Sequence, residues 1–228
     1  VTGAGGFVGA RILDQWRGRD ELCTFPHGFS ADSDEAAVRA LIAREKPDVI
    51  VHTAALSNTA YCASHPEESL RANVLLPEWI AKAAAETGAK LLAFSSDQVY
   101  AGCKGSGPLP ETLSLAPANV YGCHKLEAEQ RVLAITPGAI LLRAAWMYDF
   151  PGYRLPIRGN LPLNLLSAAK TGTALHFSEH DFRGVSYVRE VIDKLIPAME
   201  LPGGVPAGVV KWEGRESTMV PLRFVSEQ

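Results

Sequence analysis

Short apolar runs alternate with longer helical patterns over the first two thirds of this chain of 228 residues. Runs of about four to eight apolar residues without strict alternation are typical of strands that are covered on both faces. A helix between two such strands favours parallel pairing, since it carries the chain back to the same end of the sheet. The pattern therefore predicts an α/β fold with a doubly wound parallel sheet. The predicted strands are residues 21–25, 48–52, 90–94 and 139–142, and the predicted helices are residues 7–17, 34–45, 67–87 and 119–135.

The charge balance and the apolar pattern exclude several classes of protein. With 22 Lys and Arg against 25 Asp and Glu the formal net charge is −3, so nothing general attracts the chain to nucleic acid or to an anionic membrane. Its longest apolar stretches, such as residues 49–51 and 139–142, are far shorter than the roughly 20 residues that span a membrane. We therefore expect neither nucleic acid nor a membrane as a partner, and a function that depends on a localised site.

The cysteines and histidines show no metal-binding pattern. The cysteines are spread without a Cys-x-x-Cys pair, which argues against a zinc cluster and a dithiol redox motif. His176 and His180 flank Glu179, but they lack the His-Glu-x-x-His order of a zinc-binding helix. We expect no metal site, reduced thiols and a cytoplasmic location. The cysteines are Cys23, Cys62, Cys103 and Cys123.

Glycines recur every third residue at the start of the chain, at Gly3, Gly6 and Gly9. Glycine permits a tight turn after a strand, a close approach of the backbone to a pyrophosphate and close packing of the next helix on the sheet. That helix would also point its positive N-terminal end at the phosphates. Followed by further strand–helix units, the turn predicts a Rossmann-type dinucleotide site rather than a plain strand–helix connection. Because such a turn normally follows a strand, we expect further residues before Val1.

A tyrosine and a lysine stand four residues apart at Tyr121 and Lys125. On a helix this spacing places a phenol and an ammonium on one face. To work near pH 7 a phenol must lose about 3 units of its reference pKa of about 10, and a neighbouring lysine with a nicotinamide cation can stabilise the phenolate. Tyr100 and Lys104 share the spacing, but the glycines and the proline that follow break a helix there. Only Tyr121 and Lys125 are therefore predicted to keep their side chains in register.

Ser95 and Ser96 stand at the end of a predicted strand, directly before Asp97. A serine hydroxyl at that place could donate a hydrogen bond to a substrate carbonyl and share the developing oxyanion with the tyrosine. On its own the segment would be an ordinary strand-to-loop turn. In open α/β sheets, however, ligands bind beyond the carboxyl ends of the strands, where the glycine turn, residues 52–55 and the serines all fall.

The composition changes after about Trp146, where prolines and glycines become crowded. The change predicts a dinucleotide-binding domain over residues 1–146 and a small, loop-rich substrate-binding lobe over residues 147–228 that is interleaved with it. The segment from Pro202 onward is rich in glycine and proline and shows little periodicity.

These segments together resemble the extended short-chain dehydrogenase/reductase family, and within it the dTDP-4-dehydrorhamnose reductase-like branch and the nucleotide-sugar epimerases. They occur in family order over about residues 1–191, and that order is more specific than any single motif. The matching segments are residues 2–9, 47–55, 94–100, 117–125, 142–146 and 183–191, together with Asn73.

The resemblance implies a role for each matching residue. Tyr121 would donate the proton to a carbonyl, Lys125 would bind the nicotinamide ribose and tune the tyrosine, and Ser96 would orient the substrate oxygen. Arg183 would approach the diphosphate of a nucleotide sugar, with a surface salt bridge as the alternative for this residue. The implied cofactor-binding residues are Gly3, Gly6, Phe7, Val8, Gly9, Thr53, Ala54, Ala55, Ser95, Tyr121 and Lys125. The implied substrate-binding residues are Ser96, Asp97, Trp146 and Arg183.

Four residues have structural interpretations beside the functional ones. Trp146 at a strand end would contact substrate, or else belong to the core or the rim of the site. Asn73 is interpreted as bonding to backbone near the site. Glu127 and Glu129 are interpreted as a solvated helix face.

Two departures from the family pattern bear on the reaction and the cofactor. Dehydratases of the family tend to have Asp-Glu after the serine or threonine, whereas Gln98 follows Asp97 here, and a neutral amide cannot transfer the proton that dehydration needs. Rhamnose-type reductases tend to have tyrosine at the position of Gln98. Because of this departure, the resemblance does not determine which nucleotide sugar is the substrate. At the end of the predicted strand at residues 21–25, the segment at residues 24–28 contains no acid for the ribose of NAD, which favours NADP and leaves NAD as the alternative.

The resulting hypothesis is an NAD(P)-dependent oxidoreductase of the extended short-chain type that acts on the carbonyl of a nucleotide sugar. Epimerisation through a transient keto sugar is the alternative reaction. A third hypothesis is a catalytically silent regulatory subunit that binds the cofactor, as in the methionine adenosyltransferase beta subunits of the same branch. The family also implies a homodimer.

Overall fold

A parallel sheet lies at the centre of the molecule. The computed structural model describes residues 1–26, 28–29, 33–103, 109–152, 154–157, 160–176, 184–200 and 208–210. The described strands are β1 Val49–His52, β2 Lys90–Ser96, β3 Ile140–Ala144, β4 Trp146–Tyr148, β5 Val185–Tyr187 and β6 Gly208–Val210. The central sheet has the order β1, β2, β3, β6, and β4 pairs with β5 separately. All of these pairings are parallel, which confirms the predicted α/β class.

Helices connect the strands and cover both faces of the sheet. They are α1 Phe7–Gln15, α2 Glu35–Glu45, α3 Thr59–Ser64, α4 Pro66–Leu70, α5 Leu76–Thr87, α6 Val120–Ile135, α7 Leu161–Thr171 and α8 Val188–Glu200. Capping side chains define several starts, since Asp34 accepts from Ala37 N at 2.8 Å and Asn119 accepts from Gly122 N at 2.8 Å. Helix α3 was not predicted, although Asn58 caps it in the same way by accepting from Tyr61 N at 2.9 Å.

The central strands are buried on both faces, which explains their unbroken apolar runs. On one face Ile50 of β1 belongs to a core cluster with Val38 of α2. On the other face Val51, the next residue of β1, belongs to a cluster with Ile12 of α1 and Ile192 of α8. Successive side chains of a strand point to opposite faces, so one strand contributes to both cores. The layering leaves the carboxyl ends of the strands open for a site.

The predicted strand at residues 21–25 is wrong. Within the described residues this segment has no strand pairing, and Cys23 O accepts a bond from Val1 N at 2.7 Å. An apolar run becomes a strand only where a neighbouring strand supplies a ladder of hydrogen bonds, and a single bond is not a ladder.

The predicted helix at residues 67–87 is a single continuous helical path around Pro77. A π-helical turn, Arg71–Leu75, joins α4 to α5, and the residues at both junctions keep helical backbone angles. A proline ring inside an α-helix would collide with the carbonyl four residues earlier, which here belongs to Asn73 in the wider turn. The π turn therefore admits Pro77 without breaking the helix.

A buried ion pair ties α1 to the C-terminal part of the chain. Arg11 Nε donates to Asp149 Oδ2 at 2.6 Å, and both side chains are almost fully buried. Arg189 of α8 donates to the same carboxylate oxygen at 3.2 Å. The paired charges join α1, the helix that follows the glycine turn, to the residue after β4, and β4 itself lines the site described below through Trp146 and Met147.

No helix in the described ranges is both long enough and apolar enough to cross a membrane. All four cysteines fall within these ranges and are free thiols. The division of the chain at residue 146 stays a prediction.

Candidate active site

A cavity of about 790 Å³ opens beyond the carboxyl ends of the central strands. Its wall includes the glycine turn, the residues that follow β1, the ends of β2 and β3, and the start of α6. A volume of this size is within the range of small-molecule and cofactor sites. The sequence candidates that line it are Gly3, Gly6, Phe7, Val8, Thr53, Ala54, Ala55, Ser95, Ser96, Asp97, Tyr121, Lys125 and Trp146.

Three glycines shape the turn before α1. Gly3 has φ +67°, and a Cβ there would lie 2.7 Å from Ala54 N, so the left-handed turn and the close approach both require glycine. Gly6 N donates to Gly3 O at 2.8 Å and closes the turn. Gly9 does not line the cavity but lies behind the turn, where a Cβ would come within 2.2 Å of Gly3 O.

The N-terminus of α1 points its unpaired N–H groups toward the cavity. Gly6 is the N-cap and supplies no side-chain bond, and the first turn contains no acid. The next two residues, Phe7 and Val8, line the cavity wall. Free amides and the positive end of the helix dipole together favour an anion such as a pyrophosphate.

Hydrogen bonds hold residues 53–55 against the glycine turn. Thr53 Oγ1 donates to Thr2 O at 2.7 Å, and Thr53 N donates to Thr2 Oγ1 at 3.2 Å. His52 shares a 2.7 Å hydrogen bond between its Nδ1 and Thr2 Oγ1. Burial and the nearby Lys125 lower the pKa of His52 to about 3, so it stays neutral. Thr53 thus contributes a fixed backbone to the cavity.

Helix α6 brings Tyr121 and Lys125 to the end of β2. Lys125 Nζ donates to Phe94 O at 2.6 Å, and the Ser96 side chain lies close enough to the Tyr121 phenol to lower its pKa. Ser96 Oγ donates to Asp97 Oδ1 at 3.1 Å. Gly122 allows α6 to approach the turn after β2 this closely, because a Cβ at Gly122 would lie 2.3 Å from Gln98 O. The phenol, the ammonium and the hydroxyl therefore meet in the wall of one cavity whose other wall is the glycine turn.

The electrostatics of the tyrosine differ from the sequence prediction. Burial raises the pKa of Tyr121 to about 12, and the Ser96 side chain only partly opposes this. Lys125 was predicted to lower the pKa of the phenol, but its ammonium is held on the Phe94 carbonyl, and burial dominates. At neutral pH Tyr121 is therefore protonated and suited to donate a proton.

Ser95 and Glu129 form a buried contact that the sequence interpretation missed. Ser95 Oγ donates to Glu129 Oε1 at 2.5 Å, so the Ser95 hydroxyl is engaged away from a ligand. Glu129 is only 3% exposed, and its assignment to a solvated helix face is wrong, whereas the Glu127 side chain is 40% exposed and pairs with Arg131. The signal was the repeat of four from Tyr121 through Lys125 to Glu129, which places all three on one helix face.

The outer part of the cavity holds the substrate candidates. Asp97 lines the wall beside Tyr121, and Trp146 lies at the rim with 53% of its surface exposed. Gln98 also lines it, and its Oε1 accepts a bond from Asn119 Nδ2 at 3.0 Å. Arg183 lies outside the described residues. Sequence reasoning did not single out six further polar residues of the wall, which are Ser57, Asn58, Thr59, Glu68, Arg71 and Asn160.

The structural interpretation of Asn73 is confirmed. Asn73 Nδ2 donates to Leu56 O at 2.9 Å, and Leu56 N donates to Asn73 Oδ1 at 3.1 Å. The pair fixes the loop after β1 that lines the cavity. Within the described ranges no group of three His, Cys, Asp or Glu side chains is placed to hold a metal ion. His180 lies outside these ranges.

Comparisons of the sequence with protein families and with individual proteins agree on one family. The sequence profile described as the RmlD substrate binding domain matches residues 1–200. The dTDP-4-dehydrorhamnose reductase of Mycolicibacterium smegmatis is 34% identical over 149 residues, which are 65% of this chain and 45% of that protein. The methionine adenosyltransferase 2 subunit beta of Xenopus laevis is 37% identical over 157 residues, which are 65% of this chain and 46% of that protein.

A solved structure shares the fold. The dTDP-4-dehydrorhamnose reductase of Bacillus anthracis, in complex with NADP, superposes with a TM-score of 0.76 at 21% identity, over 93% of this chain and 74% of that chain. The chain spans less than half of the length of the two relatives above.

Proposed function

The chain belongs to the RmlD substrate-binding domain family, and from that premise we propose that it is an NAD(P)-dependent oxidoreductase that reduces the carbonyl of a nucleotide sugar. One observation carries the proposal. Tyr121, Lys125 and Ser96 meet at one cavity wall, opposite a glycine turn and a helix N-terminus that suit a pyrophosphate. Neither feature alone would require a reductase, but a dinucleotide on the turn would share one cavity with the phenol.

The residues of the cavity fit a nicotinamide dinucleotide. A Cβ at Gly3 would lie 2.7 Å from Ala54 N, so glycine lets the turn pack against the loop after β1, and the N-terminus of α1 beside it in the cavity wall suits a pyrophosphate. When bound, the dinucleotide supplies the hydride. Tyr121 passes its phenolic proton to the carbonyl oxygen. Ser96 turns its hydroxyl proton from Asp97 Oδ1 to the same oxygen and so orients it. Lys125 binds the nicotinamide ribose and adds positive charge beside the phenol.

NADP is the preferred cofactor in this proposal. The described residues 24–26 and 28–29 offer no carboxylate to bind the free ribose hydroxyls of NAD. The NADP complex of the Bacillus anthracis relative supports the same choice. Titration of the protein with NADPH and NADH tests it, and tighter binding of NADH would reverse it.

The proposed function is tested by turnover. The purified protein is mixed with NADPH and a panel of 4-keto nucleotide sugars, and loss of the nicotinamide absorbance is expected with at least one of them. A changed sugar configuration without net loss of NADPH would favour the epimerase. Absence of both, in a protein that binds NADPH, would contradict an enzymatic role.

A regulatory subunit is the second candidate function. The observation in its favour is the 37% identity to a methionine adenosyltransferase beta subunit, which exceeds the 34% to a reductase over a similar length. Two results together would favour it, namely NADPH binding without turnover and a protein partner that copurifies with the chain.

Cofactor binding is expected to weaken as the pH rises through about 8. Burial lowers the pKa of Lys125 to about 8, and Glu129 opposes this effect. Below this pH Lys125 is an ammonium that attracts an anionic dinucleotide, and above it the amine is neutral, so affinity is lost on the alkaline side. Fluorescence titration with NADPH across neutral and alkaline pH measures the decline. Lys125→Arg should remove the decline because its guanidinium stays charged, and a wild-type affinity that is constant through this range would contradict the assignment.

We also place the protein in the cytoplasm and treat a homodimer as its assembly. The four free thiols support the first, since they suit a reducing compartment. Cell fractionation and light scattering of the purified protein test the two statements separately.

A further inference from the structure

A buried charge cluster lies directly behind the active-site wall, with Glu129 at its centre. Arg143 of β3 donates to both carboxylate oxygens of Glu129, through Nε at 2.9 Å and through Nη2 at 2.6 Å. Both side chains are about 5% exposed or less. Arg143 also donates to the Tyr100 hydroxyl at 2.7 Å and to Glu111 O at 3.2 Å. The carboxylate is therefore fully engaged and desolvated.

Glu129 connects the three elements that carry the active site. It stands on α6 one turn beyond Lys125 and two turns beyond Tyr121. Ser95 of β2 donates to it at 2.5 Å, and Lys125 reaches back to the neighbouring Phe94 carbonyl at 2.6 Å. These two bonds tie α6 to the two residues of β2 that directly precede Ser96. A shift of Glu129 would displace the phenol and the hydroxyl relative to each other.

The balance of buried charge gives Glu129 a second effect. The cluster contains two cations, Lys125 and Arg143, and one anion, Glu129. With Glu129 paired to Arg143, the surplus positive charge stands at Lys125, next to the cavity. A buried ion pair is not a source of stability in itself, because hydrophobic residues of the same volume are often as good. Because the pair lies directly behind the active-site wall, we infer that it acts on the site.

We propose that Glu129 is a positioning residue of the active site, which locks α6 to the end of β2 through Ser95 and neutralises Arg143, so that Lys125 keeps its charge beside the cofactor cavity. This proposal rests on the proposed function, because the identity of the cofactor is taken from it. The part that concerns Lys125 does not depend on turnover, because the charge of Lys125 is measured without any ligand.

The charged groups around Lys125 define what the test measures. On α6 these are Tyr121, which is protonated, and Glu129. On β1, His52 is neutral. In the turn after β2, Asp97 faces Tyr121. Of these, Glu129 is the anion that raises the pKa of Lys125. Glu129→Gln removes this anion and leaves Arg143 as a second buried cation.

The experiment follows the titration of Lys125 by NMR in protein with labelled lysine, with the signal assigned through Lys125→Arg. Glu129→Gln is expected to move the midpoint down by about one pH unit or more, the effect of removing an opposite charge at short range. Glu129→Asp should keep the wild-type midpoint. The matched control is Glu127→Gln, on the same helix and with a partly exposed side chain, which should also leave the midpoint unchanged.

A double variant separates charge from position and guards against misfolding. Glu129→Met with Arg143→Met removes both charges, so the midpoint should return toward the wild-type value even though Ser95 loses its acceptor. In this variant the affinity for NADPH at neutral pH should recover, while kcat stays below that of the wild type, because the end of β2 is no longer held.

Two results would overturn the proposal. One is a wild-type midpoint for Lys125 in folded Glu129→Gln, and the other is a wild-type kcat in the double variant. Either would leave Glu129 as a merely structural residue while the wild type still turns over. A wild type that binds NADPH but reduces no sugar would instead contradict the proposed function, and the Lys125 titration would still decide the role of Glu129.

Discussion

Tyr121→Phe is expected to lower kcat by about 10²- to 10⁴-fold, the usual contribution of a general acid. The substitution removes one oxygen and leaves the ring in its buried place on α6. The phenol is protonated because burial raises the pKa of Tyr121 to about 12, so it is the proton source nearest to a carbonyl that Ser96 orients. Turnover is followed by NADPH absorbance with the best sugar of the panel, and NADPH affinity is measured in parallel.

The affinity for NADPH should change little in Tyr121→Phe, since the glycine turn and Lys125 are intact. Tyr148→Phe is the matched control, because the same atom is removed from a tyrosine that does not line the cavity. It should keep the wild-type kcat. If Tyr121→Phe turned over at the wild-type rate, the proton would come from another group, and Asp97 beside the phenol would be the next candidate.

Gly9→Ala is expected to destabilise the fold and to weaken cofactor binding. A Cβ at Gly9 would lie 2.2 Å from Gly3 O and 2.7 Å from Gly3 C, and both atoms are backbone. The glycine turn must move to relieve the clash, at a cost of about 2 kcal/mol for overpacking in a close-packed region. For a chain of this length that corresponds to a fall in Tm of about 4–8 °C. Calorimetry of Gly9→Ala and of the wild type measures this fall in Tm.

The displaced turn should also weaken NADPH binding about tenfold or more, a loss of about 1.4 kcal/mol. Gly5→Ala is the control, because a Cβ there meets nothing within 4 Å and Gly5 has no positive φ. Its free energy of unfolding should stay within about 0.5 kcal/mol of the wild type. Equal losses of stability in both variants would show that contact with Gly3 is not the reason for glycine at position 9.

Much of the site could be predicted from the sequence because its signals are local. The spacing of Tyr121 and Lys125 on a helix needs only the helical period, and Asn119 before it supplies the cap. The glycine spacing from Gly3 to Gly9 likewise follows from steric limits within one turn. These local rules placed the phenol, the ammonium and the turn on elements that meet at one end of the sheet.

The burial of Glu129 and the engagement of Ser95 could not be predicted in the same way. Both depend on Arg143, which arrives from a different strand and converts an ordinary helix glutamate into the centre of a desolvated cluster. The pKa of Tyr121 has the same origin, since burial by neighbouring elements outweighs the lysine on its own helix. Residues 21–25 failed to form a strand because a strand needs a partner as well as a pattern.

By itself, the order of residues determined the alternating elements, the glycine turn and the helix face that carries Tyr121 and Lys125, since period, capping and backbone sterics act over a few neighbouring residues. Only the tertiary structure decided which segment found a strand partner, which carboxylate lost its water and which charge was left beside the cavity. These outcomes depend on distances between parts of the chain that are far apart in sequence.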